Sequence, residues 1–285
     1  MKHSNLLLGG HVSAAGGLYK AIDNAEAIGA TAIQLFGASP RQWFPKLPTE
    51  EDYARFKERR AGSMVKAVYL HAPYLINLAS PEADLRKKSV INLATHLAIA
   101  EGMGADGVIF HVGSGKGMDK EKALALAAEG MNEVLDKVSG TVPLVIENAA
   151  GGGDKIGRTP EEIGALMRLV GDASRIETCY DTAHGFEAGI IDEYTPEKTK
   201  ALFDTWEKEV GEGNLVALHI NDSKTACGSC NDRHENLGDG HIGMEAFRVL
   251  ATEKRLHKAA WLLEVPGIEG NGPDGENMER LRGCF

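Results

Sequence analysis

Cysteine is scarce. Four in 285 residues cannot make a disulfide scaffold, so a reducing cytoplasm is the expected setting. No apolar run approaches the ~18 residues of a membrane span. The opening MKHSNLLLGG has three consecutive leucines before two glycines, too short for the core of a signal peptide. Positive charge is in deficit, with 31 Lys+Arg against 41 Asp+Glu and a net charge of −10. A generally basic coat for nucleic acid is thereby excluded, but not a local site whose acidic groups are neutralised by metal. Linkers, low-complexity tracts and shifts of composition are missing too, and residues 1–285 read as one domain.

What is present is a repeating alternation. Short apolar runs at Leu6–Gly10, Ala32–Phe36, Val68–His71, Gly107–His111, Pro143–Glu147, Ile176–Asp181, Val216–His219 and Ala260–Glu264 have the composition of strands buried on both faces. Amphipathic stretches separate them. Thr159-Pro160-Glu161-Glu162 carries an N-cap, a proline at the first helical position and a capping box, and Thr195-Pro196 and Ser80-Pro81 repeat the cap-plus-proline signal. Leu85–Met103, with Val90, Leu93, Leu97 and Ala100 on one face, predicts the longest helix. Eight such units fit an α/β chain folded as a single (β/α)8 TIM barrel, which typically takes ~250 residues. A doubly wound sheet would usually carry a glycine-rich nucleotide loop after its first strand. Here that turn reads GGHVSAAGG, so the barrel is preferred.

Barrel active sites lie at the C-terminal ends of the strands. Those ends are His11, His71, His111, Glu147, Asp181, His219 and Glu264, with apolar Phe36 on the second strand; His184, Asp232 and His234 follow in the loops. One polar strand end is ordinarily a cap or a satisfied core group. Six histidines beside four carboxylates are costly to bury unless paired or metal-bound. Imidazole and carboxylate without thiolate suit Zn, Mn or Fe. Nine side chains (His71, His111, Glu147, Asp181, His184, His219, Asp232, His234 and Glu264) are enough for two or three ions with a bridging carboxylate. Paired ions ~3.5–4 Å apart serve in-line displacement at phosphorus.

With their neighbours these residues resemble the endonuclease IV family of apurinic/apyrimidinic (AP) endonucleases. The resemblance runs through HVSAAGG (11–17), RQW (41–43), YLINLA (74–79), IEN (146–148), DTAH (181–184), LHINDSK (218–224), DRH (232–234), LGDGHIG (237–243) and LLE ending at Glu264. It implies three zinc ions, with Mn²⁺ or Fe²⁺ as substitutes. The first would sit on His71, His111 and Glu147. Glu147 would bridge to a second, held also by Asp181, His219 and Glu264, and the third would use His184, Asp232 and His234. The implied reaction hydrolyses the phosphodiester 5′ to an abasic sugar, leaving a 3′-hydroxyl and a 5′-deoxyribose phosphate. Glu147 and Glu264 are its implied catalytic carboxylates. Arg41, Tyr74 and Leu75 would enter the damaged duplex, where an abasic nucleotide is cheaper to extrude than an intact one. Double-stranded DNA with abasic sites is the implied partner. No membrane or protein partner is implied, and a monomer is compatible with all of it.

Three segments depart from the resemblance: HVGS after the fourth strand, Ala38-Ser39-Pro40 before Arg41, and CGSC at 227–230. Cys227 and Cys230 lack a second thiolate pair for structural zinc and a βαβ setting for redox work, so they read as loop packing. Gly113–Gly117 matches neither a dinucleotide fingerprint nor a Walker loop. Gly151–Gly153 reads as a flexible loop near the site; His3, His96 and His257 read as structural or solvated. Two other functions compete. A metal-dependent sugar isomerase or epimerase shares the barrel but needs fewer ligands, and a metal-loaded DNA-binding protein without turnover would have no use for an intact ligand set. Cleavage of abasic duplex against turnover of a ketose separates the enzyme readings.

Overall fold

The computed structural model describes residues 6–285; residues 1–5, and with them His3, lie outside the described part. Strands β1 (Leu7–His11), β2 (Ala32–Leu35), β3 (Ala67–His71), β4 (Gly107–Phe110), β5 (Leu144–Glu147), β6 (Ile176–Asp181) and β7 (Leu215–His219) are followed by two-residue strands β8 (Asp222–Ser223) and β9 (His234–Glu235), then by β10 (Ala260–Leu263). The first seven and β10 pair in parallel and close into a barrel. The expected (β/α)8 fold is therefore what the chain forms, and every expected strand is found with its ends shifted by at most one residue. β8 and β9 have no counterpart among the expected strands. They make a small antiparallel ladder in which Ser223 pairs with His234 and Asp222 with Glu235, and two residues are too few to show an alternation.

Parallel strands pack two cores. Outward side chains meet the surrounding helices, as with Val68, Leu70, Val108, Phe110, Leu144 and Ile146. Inward ones (Ala32, Ala67, Tyr69, Ile109, Val145, Cys179, Ala217, Ala260 and Leu262) fill the barrel. Because side chains alternate with a period of two, each inward column continues upward by two residues: Tyr69 to His71, Ile109 to His111, Val145 to Glu147, Cys179 to Asp181, Ala217 to His219, Leu262 to Glu264. The column of β2 runs from Ala32 to Gln34 and on to Phe36, which lies one residue past the strand with its ring centroid 4.4 Å from that of His11 and 6.1 Å from that of His71. Phe36 thus stands at the mouth as expected, and Gln34, fully buried one pleat below it, is the residue of this column that meets the cluster.

Helices follow the cap signals with one exception. The longest is indeed Ala83–Met103, which buries Val90, Leu93, Leu97 and Ala100. Pro160–Leu169 starts on the Thr159 side chain, which accepts from the Glu162 amide. Glu162 itself reaches the Arg158 amide and Lys120, so only half of the expected box forms. Thr195 caps Pro196–Val210. Ser80 caps nothing: its hydroxyl accepts from the Glu82 amide in a turn and the helix begins two residues beyond Pro81. Among the described residues no helix is long and apolar enough to cross a membrane.

Space inside the barrel is shared unevenly. A Cβ at Gly107 would lie 2.6 Å from Val145 Cγ2 and 3.1 Å from the Tyr69 ring, while the Tyr69 hydroxyl donates to the Val216 carbonyl at 3.2 Å. Gly9 is tighter still, since a Cβ there would sit 1.6 Å from the Ala32 carbonyl oxygen, within the β1–β2 ladder. Gly9→Ala should therefore separate β1 from β2 and lower stability by more than the ~1–3 kcal/mol of ordinary overpacking. Gly275→Ala, whose Cβ would meet nothing within 4 Å, should be neutral or stabilising by up to about 1 kcal/mol. Urea titration of both checks the contrast, and an unaltered midpoint for Gly9→Ala would refute the close approach.

Candidate metal centre

All nine side chains singled out as ligands converge at the C-terminal mouth of the barrel. Their ligand-type atoms gather in overlapping sets: His71, His111 and Glu147; His111, His184 and Asp232; Asp181, His184 and His234; Glu147, Asp181, His219 and Glu264. Within each set those atoms lie within 4.8 Å of one another. Six of the nine are the tops of inward columns. The remaining three need other devices. Asp181 N-caps the short helix Thr182–Glu187 through the His184 amide, which turns His184 back over the mouth. The β8–β9 ladder returns Asp232 and His234 from the other side.

Glu147 is the centre of the cluster and is almost wholly buried. Its Oε2 lies 3.1 Å from His71 Nε2 and 3.4 Å from His111 Nε2. Its Oε1 lies 2.9 Å from His219 Nδ1 and 3.2 Å from His184 Nδ1. A second group forms where His184 Nε2 comes within 3.3 Å of Asp232 Oδ1 and 3.4 Å of His234 Nε2, with His234 Nε2 3.6 Å from Asp232 Oδ1. Donors around a tetrahedral ion at ~2.0–2.1 Å are separated from one another by roughly 3.4 Å. The spacings observed match that edge length, and nitrogen facing nitrogen at 3.4 Å makes a poor hydrogen bond but a good ligand pair. The residues present fit divalent transition metal.

Electrostatics agree with the geometry. Burial alone would raise the Glu147 carboxyl, but His111 and His219, with hydrogen bonds from His184 and His219, hold it well below its ordinary range. Burial opposes protonation of His184, and Asp181, Asp232 and Glu147 overcome it, carrying the imidazole well above its usual value. His111 goes the other way: burial pushes it down to about 4, leaving a neutral ring at physiological pH. Where protons leave these donors, a divalent cation can take their place.

Several supporting residues lie outside the set expected from sequence. Asn148, in IEN, accepts from the Asp181 amide at 2.6 Å and takes the His184 Nδ1–H on its own carbonyl at 2.9 Å. Asn221, in LHINDSK, donates to Asp181 Oδ2 and accepts from the Glu264 amide. Asp222 gathers the amides of Gly238, Gly240, Ile242 and Gly243, which folds LGDGHIG into a fixed loop. Gln34 touches His11, His219 and Glu264. A polar residue inside an apolar run is the available signal for Gln34, and asparagine beside a ligand is the signal for Asn148.

Arg41, Tyr74 and Leu75 are not part of the cluster. They stand on the loops after β2 and β3, at the same end of the barrel, with Arg41 exposed, Leu75 half-buried and Tyr74 72% exposed. Asn92 of the long helix pins the first of these loops by donating to the Gln42 and Trp43 carbonyls. His96 is buried against the Asn92 carbonyl and His257 bonds the Ala251 carbonyl, and neither joins the ligand sets. Cys227 and Cys230 are unpaired thiols; Cys230 backs onto Gly151 and Gly152, in keeping with a packing role.

Known proteins resemble this chain along nearly its full length. The model of the xylose isomerase-like TIM barrel family matches residues 22–284. A protein of Nitratidesulfovibrio vulgaris named "Probable endonuclease 4" is 35% identical over 97% of this chain and 98% of its own length. Its namesake in Thermotoga maritima is 34% identical over 96% and 95%. The crystal structure of endonuclease IV from Thermus thermophilus superposes with a TM-score of 0.83 at 33% identity, covering 97% of this chain and 98% of that one. A D-psicose 3-epimerase, with a TM-score of 0.67 at 14% identity, shares the fold alone. With the barrel, the crowded mouth and relatives matched end to end, the chain belongs to the endonuclease IV family of the xylose isomerase-like TIM barrels.

Proposed function

We propose that this chain, acting as one catalytic domain over residues 1–285, is a DNA-repair endonuclease that hydrolyses the phosphodiester on the 5′ side of abasic sites. Its products would be a 3′-hydroxyl and a 5′-deoxyribose phosphate, and its cofactor three zinc ions. The observation that carries this reading is Glu147, whose two oxygens face two different ligand sets at the edge length of a tetrahedral site. His71, His111 and Glu147 form one position, Glu147, Asp181, His219 and Glu264 the second, and His184, Asp232 and His234 the third. When bound, the ions supply Lewis acidity toward phosphate oxygens and water.

The side chains do the rest. The Ala72 carbonyl takes the His71 Nδ1–H at 2.7 Å and the Asn148 carbonyl takes that of His184, so both rings turn Nε2 into the mouth. Glu147, buried and held anionic, and Glu264 orient the attacking water on the phosphorus. Asp232 is the most exposed of the nine, at 44% of its side chain, and lies where a substrate phosphate would enter. Arg41 would pair with the backbone beside the lesion, while Leu75 and Tyr74 would fill the vacated stack. Four unpaired cysteines suit work in a reducing cytoplasm.

Elemental analysis of protein purified without chelator should find about three transition-metal ions per chain, mostly zinc; full nicking activity with one ion or none would overturn the centre. Glu147→Gln should retain the fold and lose about a thousandfold or more in nicking of an abasic duplex, because an amide cannot bridge two cations or balance their charge. Parental activity in that variant would remove its assigned role. Leu75→Ala should spare the metals and weaken abasic-duplex binding by roughly 1–3 kcal/mol, which is about tenfold at 1.4 kcal/mol. Single-turnover nicking by Leu75→Ala and Arg41→Ala at verified metal content checks it, and unchanged affinity and rate in both would end the wedge assignment.

A further inference from the structure

Gln34 stands in the inward column of β2, one pleat below Phe36 and among the acids and histidines of the mouth, and its side chain is fully buried. Three contacts use up its amide. Nε2 donates to Glu264 Oε1 at 2.6 Å and lies 2.9 Å from His11 Nδ1. Oε1 lies 2.7 Å from His219 Nε2. These contacts determine one another. A carboxylate only accepts, so the nitrogen of the amide must face Glu264 and the oxygen must face His219. That oxygen only accepts, so His219 must carry its proton on Nε2. Nδ1, which points at Glu147 Oε1, at 2.9 Å, and Glu264 Oε2, at 3.1 Å, is then the atom whose proton a metal would replace, and the one left to offer its lone pair. By the same logic the second N–H of Gln34 requires His11 Nδ1 to accept. With Oε1 of Glu264 engaged, Oε2 is the oxygen left for the mouth.

We infer that Gln34 is a positioning residue for the second metal position: it sets the tautomer of His219 and the monodentate orientation of Glu264, and thereby the affinity of that position alone. The inference rests on the metal-centre reading above. Most metal-binding histidines are oriented by a carboxylate, a backbone carbonyl or water, and a carbonyl does this for His71 and His184 here. His219 is fully buried, and the oxygen that meets its Nε2 belongs to a side-chain amide. A neutral amide orients two ligands at once without adding a fifth negative charge to a site that already holds four carboxylates. A glutamate at this position would face Glu264 across a hydrogen-bond distance and would have to keep a proton to do so.

Gln34→Met keeps volume and removes all three hydrogen bonds. The parent and the variant, both fully loaded, would be titrated with a chromophoric zinc chelator, and the ions released would be counted at each concentration. In Gln34→Met one ion of the set should leave roughly 10–100-fold more readily, with the others released as in the parent. A cobalt-substituted sample should show the corresponding change in one of its ligand-field bands. Release of every ion at the parental chelator concentration would overturn the inference while leaving the metal centre intact. A parent without bound metal would overturn both. If Gln34→Met does not fold, Gln34→Leu, which also has neither donor nor acceptor, serves instead; unchanged release in that protein is equally fatal.

Discussion

A carboxylate sealed at the mouth of a barrel has no water to solvate it, and the surroundings of Glu147 are arranged around that single cost. Isolated burial of such a charge would be prohibitive, and in most proteins the group would simply take up a proton. Here imidazoles press on both of its oxygens and keep it anionic. Those imidazoles are in turn fixed by carbonyls and amides one layer out: Ala72 for His71, Asn148 for His184, Gln34 for His219. The arrangement is balanced only when positive charge is present among the donors. Protons can provide it at low pH, and divalent cations can provide it where histidine is neutral.

The fold contributes position without chemistry. Eight parallel strands close with their inward columns in register, and the topmost residue of each column is delivered to one ring. The residues beneath, from Ala32 and Tyr69 to Leu262, are apolar and close the floor. Loops then differentiate the ring. The helix after β6 and the β8–β9 ladder add His184, Asp232 and His234 on one side, and the loops after β2 and β3 raise Arg41 and Tyr74 on the other. Four carboxylates at the mouth are turned onto histidines, and the chain's net charge of −10 comes from acidic residues elsewhere.

Much of this is legible in the sequence. Consecutive apolar residues mark the eight staves, and a ligand-type residue ends nearly every one, so the six candidate ligands at strand tops can be named from position. His184, Asp232 and His234 follow from the loops beside them. What stays hidden has a common cause. Gln34 is concealed because Phe36 ends the apolar run, and the polar residue that meets the cluster lies one pleat below it, inside the run. β8 and β9 are too short for any periodicity. Ser80-Pro81 has the chemistry of a helix start, yet the serine hydroxyl is used in a turn before the helix begins. For the rim residue the deciding partner lies far away in sequence: Gln34 meets Glu264 across 230 residues.

The uneven filling of the barrel floor bears on how such a chain can drift. Gly107 has no side chain because Tyr69 occupies its volume and Val145 closes the gap, and the tyrosine hydroxyl is spent on the opposite wall at Val216. Residues 69, 107 and 145 are thus a single unit of volume held by three neighbouring strands. Growth at 107 is open only where residue 145, the closer neighbour, has already been reduced and 69 has given way, and those changes leave a void until 107 grows. Changes among the three are coupled beyond simple addition, and the order in which they arrive matters. Such a floor can be altered only in concert, whereas an exposed helix position, free of such neighbours, can change alone.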